Sequence, residues 1–258
     1  LRLQLEVIDK NGNLAVWTSN NVRSVTTGPT VYSTIFDGEC YDARQDVPAL
    51  YEPGVPEGLM NQSWGWAHVA DTPGGRMVSQ MMEPIEVVDT LVPQLIGEPL
   101  PGVYVFDTKQ NLAGWASLRV EGERRRQVTM KFAESLYDDG TINQENLRNA
   151  KATDIYILKG EGVEKWEPRF TYHGFRYIQV EGLPKAPQEG DIVVKVVRNA
   201  VAKTGEFRCS NELLNRIHKM VVATESSNLH SVPTDCPQRD ERMGWMNDLT
   251  VRIEQALY

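Results

Sequence analysis

The segment Thr234–Asp248 brings several groups that could do chemistry into fifteen residues. It holds four carboxylates, two arginines and one tryptophan: Asp235, Asp240, Glu241, Asp248, Arg239, Arg242 and Trp245. Carboxylates this close together cannot all ionise cheaply, so burial would raise the pKa of at least one of them. A carboxylic acid that keeps its proton near neutral pH can protonate the leaving oxygen of a glycosidic bond. The cluster therefore predicts acid chemistry on a hydroxyl-rich ligand.

The remaining groups of the cluster suit the same ligand. Carboxylates that stay ionised can accept hydrogen bonds from sugar hydroxyls. Arg239 and Arg242 supply the positive charge that keeps such carboxylates ionised. Trp245 offers a flat apolar ring on which the C–H side of a sugar ring can stack.

Three other interpretations use the same residues. Surface ion pairs could simply hold a corner between two helices, with Asp248 as the N-cap of the second helix. Calcium also favours clustered carboxylates, but the EF-hand spacing is absent and the arginines would compete with the cation, so we predict no metal. Cys236 could be a nucleophile only with His230 or His218 in reach, and a buried small side chain is the favoured interpretation.

Composition excludes several classes of partner. The formal net charge of −8 comes without a basic stripe, which argues against nucleic acid. No run of about 18 apolar residues exists, so no membrane span is predicted. The three cysteines, Cys40, Cys209 and Cys236, are too far apart for a zinc motif or a disulfide framework.

Two kinds of element must position the cluster. Up to about residue 200 the chain alternates at period two between turn residues, beginning with a predicted hairpin around Asp9–Gly12, and this pattern is typical of β-sandwiches. The texture changes after Gly205: a helix is predicted over residues 211–228 with Ser210 as its N-cap. A second helix is predicted to begin near Asp248.

The sequence from Thr234 to Asp248, Thr-Asp-Cys-Pro-Gln-Arg-Asp-Glu-Arg-Met-Gly-Trp-x-x-Asp, resembles the catalytic-loop motif of the bacterial-type α-L-rhamnosidases of glycoside hydrolase family 78. Other stretches resemble the same family, in its order: Asp37–Arg44, Gln80–Ile85, Pro101–Asp107, Gln110–Trp115, Ala133-Glu134, Ala152–Tyr156, Trp166–Phe170, His173–Tyr177, Thr204–Phe207 and Ser210–Asn215. The resemblance therefore covers essentially the whole chain.

The resemblance implies a mainly β fold with two β-sandwich (jelly-roll-like) domains followed by the first helices of an (α/α)6 barrel. Residues 1–97 would be the first sandwich, truncated at its start, and residues 98–200 the second. Residues 201–258 would begin the catalytic domain. The partner would be a rhamnoside or a rhamnose-containing oligosaccharide, with no cofactor, and a homo-oligomeric state of the intact enzyme is left open.

Such enzymes hydrolyse terminal α-L-rhamnose with inversion, which takes a carboxylic acid and a carboxylate base about 6.5–9.5 Å apart. The resemblance implies that the base lies beyond residue 258. Counting back from Trp245 places Glu241 in the position of the acid, and counting forward from Asp235 makes Asp240 the second choice. The implied rhamnose contacts are Asp235, Arg239, Asp240, Trp245 and Asp248. Asn247 stands where the family frequently has glycine, which puts the fine specificity in doubt.

Two other functions remain open on the sequence. One is a non-catalytic carbohydrate-binding assembly of β-sandwiches, which would bind sugar without needing the charged loop. The other is a polysaccharide lyase on a similar helical barrel, which would place tyrosine, histidine or lysine near the cleaved bond.

Overall fold

The computed structural model describes residues 3–20, 24–47, 64–71, 74–76, 78–251 and 253–256. The structure is mainly β, as the sequence predicts. The chain forms two compact units, one of residues 1–28 and 45–79 and the other of residues 29–44 and 80–258. Residues 44–64 contain three prolines and two glycines, which predicts a long loop, and most of this segment lies outside the described residues.

The elements are numbered in chain order. The strands are β1 (Gln4–Ile8), β2 (Leu14–Thr18), β3 (Ser24–Val25), β4 (Thr30–Thr34), β5 (Gly38–Asp42), β6 (Gly65–Trp66), β7 (Ile85–Leu91), β8 (Gln94–Leu100), β9 (Val103–Glu121), β10 (Gln127–Ala133), β11 (Ser135–Leu136), β12 (Ile142–Asn143), β13 (Thr153–Ile157), β14 (Val163–Trp166), β15 (His173–Glu181), β16 (Ile192–Asn199), β17 (Leu229–His230) and β18 (Val232–Pro233). The α-helices are α1 (Glu212–Ser227), α2 (Met246–Thr250) and α3 (Ile253–Ala256), and short 3-10 turns cover Ala43–Gln45 and Glu145–Leu147.

The first unit opens with the predicted hairpin. β1 and β2 pair antiparallel, from Gln4 opposite Thr18 to Ile8 opposite Leu14. The turn forms because Asp9 Oδ1 accepts hydrogen bonds from the backbone N–H groups of Asn11 and Asn13, at 2.8 and 2.9 Å. The turn also needs Gly12, whose φ of +83° is costly for other residues.

The second unit is built on a ten-stranded sheet in the order β4-β5-β13-β10-β15-β9-β16-β7, with β8 and β14 also paired to β9. All of these pairings are antiparallel except β5 with β13. The 19-residue strand β9 is long enough to pair with β8 and β15 near its start and with β16 and β14 towards its end. The interior is filled from alternate positions of these strands, with Phe132 and Phe175 both fully buried.

The helix predicted over residues 211–228 is confirmed as α1, but Ser210 is not its N-cap. Asn211 caps the helix because its backbone is extended and its side chain accepts from the N–H groups of Leu213 and Leu214, at 3.0 and 3.4 Å. Asp248 is not an N-cap either, since α2 begins at Met246 and Asp248 lies within its first turn. Among the described residues, no helix has the length and apolar composition that crossing a membrane takes.

Candidate active site

The charged segment leaves the β17–β18 hairpin and folds back on itself as a closed loop. The backbone N–H of Asp235 donates to the carbonyl of Met243 at 3.0 Å, and Asp235 Oδ1 accepts from the N–H of Met243 at 2.7 Å. Thr234 is tied to the end of α1, with both its N–H and its hydroxyl donating to the carbonyl of Asn228. The Asp235 side chain is only 5% exposed, so it closes the base of the loop.

Cys236 lies beside Asp235 in this buried base. Burial raises the pKa of the Cys236 thiol, and its hydrogen bond to Asp235 raises it further. For Asp235, burial opposes ionisation, but the bonds from Cys236 and Met243 outweigh it and hold the pKa of Asp235 below its usual value. This environment disfavours a nucleophilic thiolate and agrees with Cys236 as a buried small side chain.

Arg242 fixes the loop to the sheet. Its side chain is buried and its guanidinium donates to the carbonyl oxygens of four residues: Ile35, Tyr172 (2.8 Å), Gln238 (3.2 Å) and Arg239 (3.1 Å). It also lies over the ring of Tyr172, 4.7 Å from the centroid. Burial lowers the pKa of Arg242 below its ordinary value. Neutral carbonyl dipoles and an aromatic face thus replace water around this cation.

Arg239 performs a different task. Its guanidinium contacts Asp235 at 3.4 Å and Glu241 at 2.9 Å. Asp235, Cys236 and Glu241 bring ligand-type atoms within 4.8 Å of one another, a spacing that could suit a metal ion. A cation would have to displace Arg239, which already supplies positive charge to both carboxylates.

Glu241 receives hydrogen bonds on both oxygens. Oε2 accepts from Arg239 and from Arg148 Nη1, the latter at 2.9 Å, and Oε1 accepts from the indole N–H of Trp245 at 2.9 Å. The Glu241 side chain is 21% exposed and Trp245 is 49% exposed. A carboxyl group of fixed orientation therefore lies beside a solvent-facing aromatic ring.

Asp240 points towards the turn that precedes β13. Its Oδ2 accepts from Asn149, from the side-chain amide at 2.8 Å and from the backbone N–H at 3.2 Å. The amide hydrogen bond, together with the nearby charge of Arg148, lowers the pKa of Asp240. Asp248 lies exposed on α2, and no hydrogen bond or ion pair joins it to another described residue.

A cavity of about 700 Å³ lies against the loop, between α1 and the middle of β9. Asp235 and Arg239 line this cavity, whereas Glu241 and Trp245 do not. The predicted site residues therefore fall into two groups, one at the cavity and one at the open surface around Glu241.

Three family models match the chain. The α-L-rhamnosidase N-terminal domain matches residues 1–89, the bacterial α-L-rhamnosidase concanavalin-like domain matches residues 98–198, and the bacterial α-L-rhamnosidase 6 hairpin glycosidase domain matches residues 202–258. The chain belongs to the α-L-rhamnosidase family. The resemblance predicted from the charged loop and the upstream stretches is thereby confirmed.

Individual rhamnosidases agree with this membership. An α-L-rhamnosidase of Streptomyces avermitilis is 38% identical over the whole chain, which spans 25% of that protein. A solved α-L-rhamnosidase from Dictyoglumus thermophilum is 42% identical with a TM-score of 0.92 over 99% of this chain and 28% of that one. The Streptomyces avermitilis enzyme solved with L-rhamnose has a TM-score of 0.91 at 38% identity, over 96% of this chain and 24% of that one. The chain spans about a quarter of the length of the curated relatives it matches.

For this rhamnosidase-family chain, sequence reasoning placed the loop correctly but missed two of its partners. Arg148 and Asn149 contact Glu241 and Asp240 from a turn more than 90 residues earlier in the chain. Neither residue falls in a stretch with a recognisable pattern. An arginine beside an asparagine in a turn is common, so only the tertiary fold identifies them.

Proposed function

We propose that this chain carries the acid half of an inverting glycoside hydrolase site that removes terminal α-L-rhamnose from rhamnosides or rhamnose-containing oligosaccharides. One observation carries the proposal: the Glu241 carboxyl is held on both oxygens while it faces an exposed tryptophan ring. The family membership supports the sugar, because the similar proteins are named α-L-rhamnosidases and one of them was solved with L-rhamnose.

We propose the domain arrangement on the same footing. Residues 1–97 and 98–200 supply two β-sandwich domains, with strands β4, β5, β7 and β8 extending the sheet of the second one. Residues 201–258 contribute the first helices of an (α/α)6 barrel. The limits of the three family matches, which fall at residues 89, 98, 198 and 202, support these boundaries. The relatives extend well beyond the matched part, and we assign the general base to that remainder.

Glu241 is the proposed proton donor, in preference to Asp240. Asp240 points towards Asn149, which donates two hydrogen bonds to one of its oxygens. The direction of its side chain therefore makes Asp240 the weaker candidate. Glu241 also has the indole beside it, where a sugar ring would stack.

The other predicted contacts take distinct roles in this proposal. Trp245 stacks on the apolar face of the rhamnose ring, and Asp248 accepts a sugar hydroxyl from its exposed position on α2. Arg239 and Asp235 already bond to each other and to the loop, so they act mainly by holding the site in shape. Asp240 has one oxygen engaged by Asn149 and can offer the other to a hydroxyl.

The test is Glu241→Gln in the full-length polypeptide. General acid catalysis contributes about 10²- to 10⁴-fold, so we expect a loss of that size in kcat on an alkyl α-L-rhamnoside. The loss should be much smaller on 4-nitrophenyl α-L-rhamnoside, whose leaving group needs little protonation. Asp240→Asn is the matched comparison: it alters a sugar contact and not the proton donor, so its effect should be similar on the two substrates.

Three results would count against the proposal. Full activity of the Glu241→Gln variant on the alkyl rhamnoside would transfer the acid role to Asp240. Absence of rhamnoside hydrolysis by the wild-type polypeptide would remove the enzymatic function. Rhamnose binding that survives in such an inactive protein, unchanged by substitutions in the loop, would favour the carbohydrate-binding alternative.

A further inference from the structure

The 3-10 turn Glu145–Leu147 ends in an unusual backbone conformation. Arg148 has φ 59° and ψ −114°, which is far from the regions that residues with a side chain normally adopt. Such a conformation is costly and persists only where the surroundings enforce it. Strain of this kind is concentrated at functional sites.

The surroundings hold this turn firmly. Leu147 is fully buried in the core of the sheet. On the other side of the chain reversal, the Gln144 amide donates to the carbonyls of Phe132 and Lys151, both at 3.0 Å. The N–H of Ala150 closes the turn on the carbonyl of Leu147 at 3.2 Å. Arg148 is therefore presented from a rigid support although its own side chain is about half exposed.

The strained turn directs two successive side chains to two successive carboxylates. Arg148 Nη1 donates to Glu241 Oε2 at 2.9 Å, and the next residue, Asn149, donates to Asp240 Oδ2 at 2.8 Å. This register sets the loop along the turn in one position, since a shift by one residue would break both pairings. The turn belongs to the strand-rich part of the chain, and the carboxylates belong to the loop after α1.

The contact with Arg148 matters more for the position of the Glu241 carboxyl than its hydrogen bonds from Arg239 and Trp245. Its second cation, Arg239, is shared with Asp235, so Arg239 can also follow that carboxylate. Trp245 holds the other oxygen, but the indole lies in the exposed half of the loop. Within the part of the chain that the structure describes, Arg148 alone ties the Glu241 carboxyl to a support outside the loop.

We propose that Arg148 is a positioning residue that aims the Glu241 carboxyl at the glycosidic oxygen. This inference rests on the proposed function of Glu241 as the acid. Misplacement of a catalytic group by about 1 Å can cost around 100-fold in rate. Through Arg148, the part of the chain that forms the sheet helps to position the acid.

The experiment compares Arg148→Gly with Arg125→Gly in the full-length polypeptide. Glycine accepts a positive φ at both positions, 59° at Arg148 and 73° at Arg125. Arg125 is exposed, and its backbone N–H donates to the carbonyl of Leu158 and not to a residue of the loop. We expect Arg148→Gly to lower kcat on an alkyl α-L-rhamnoside about 10- to 100-fold with little change in KM. The loss on 4-nitrophenyl α-L-rhamnoside should be much smaller, and Arg125→Gly should match the wild type on both substrates.

A double-variant comparison separates this inference from the proposed function. If Arg148 acts through Glu241, Arg148→Gly should cost almost nothing further in a protein that already carries Glu241→Gln. An equal loss in both backgrounds, or an equal loss on both substrates, would overturn the positioning role and leave a structural one. If Glu241→Gln itself retains activity, the acid assignment fails, and a leaving-group-dependent loss in Arg148→Gly would then contradict action through Glu241.

Discussion

The base and the rim of the charged loop are built in opposite ways. The loop base consists of Thr234–Gln238 and Arg242, and the loop rim consists of Arg239–Glu241, Trp245 and Asp248. Arg242 in the base is buried and all four of its acceptors are backbone carbonyls. In the rim, side chains bond to side chains and Trp245 is about half exposed.

A dense run of charges therefore need not form one site. The sequence presents Arg239 and Arg242 as equivalent, yet Arg242 attaches the loop to the sheet and Arg239 balances two carboxylates. The interpretation as an ion-paired corner describes the base in part. The rim is where a ligand can reach the carboxyl groups.

We expect the greatest loss of stability from Arg242→Met in the full-length polypeptide. Methionine fills similar space but leaves four backbone carbonyls without the buried guanidinium that donates to them. Each unsatisfied group costs about 1–3 kcal/mol, and partial relaxation leaves an expected total of at least about 3 kcal/mol. For a domain of this size that lowers the melting temperature by roughly 6–12 °C. Calorimetry measures the change.

Arg239→Met is the control for that experiment. The arginine side chain is 33% accessible, and exposed ion pairs contribute about 0–1 kcal/mol. The more deeply buried Asp235 keeps its hydrogen bond from the N–H of Met243 when the arginine is removed. We therefore expect almost no change in melting temperature with a clear loss of activity. Equal destabilisation by the two variants would show that base and rim are not distinct.

How much of this was predictable depends on how local each feature is. The hairpin around Asp9–Gly12 and helix α1 follow from signals within a few residues, and both are confirmed. The N-cap was missed by one position because Ser210 and Asn211 are both good caps, and the backbone at Asn211 decides between them. The sequence gives no indication of which of two neighbours takes the extended conformation.

Long-range features were beyond the sequence for a different reason. The parallel pairing of β5 with β13 places Cys40 opposite Ile155. The hydrogen bond from Arg148 to Glu241 likewise joins residues that are far apart in the sequence. These contacts depend on the completed sheet. The resemblance to the rhamnosidases identified the loop because the family motif is contiguous, and it could not identify partners that lie outside any motif.

A second prediction concerns the pH dependence of stability, which arises from the histidine beside the loop base. His230 is buried, stacks on Tyr172 with ring centroids 4.0 Å apart, and lies 3.1 Å from the carbonyl of Val197. Burial, together with the charge of Arg242, lowers the pKa of His230 to about 4. The folded state therefore holds His230 neutral, while the unfolded chain gains a proton as soon as the pH falls below about 6.5.

The sign follows from that difference. Stability from this group is complete above pH 6.5 and is lost as the pH falls towards 4, by at most on the order of 3 kcal/mol. His230→Gln keeps a donor for Val197 but cannot titrate. Between pH 7 and pH 5, the wild type should lose more stability than this variant in urea unfolding. Parallel losses in the two proteins would show that His230 does not titrate in the base.

A methyl group added at a glycine should distinguish the packing of the base from the packing of the rim. Gly174 in β15 lies so close to the loop that a Cβ would be 2.7 Å from Pro237 Cγ and 2.9 Å from the backbone nitrogen of Gln238. Gly174→Ala must therefore push the loop backbone away from the sheet, which costs about 1–3 kcal/mol. At Gly244, beside the rim, the nearest atom to an added Cβ is Val232 Cγ2 at 3.3 Å, which can yield. Gly244→Ala should change the free energy of unfolding little or raise it slightly, because alanine restricts the unfolded chain. Urea unfolding of both variants decides the matter: a loss at Gly174 alone means that the sheet carries the loop through close backbone contact. Equal losses would mean that the rim is packed as tightly as the base and that the distinction between them fails.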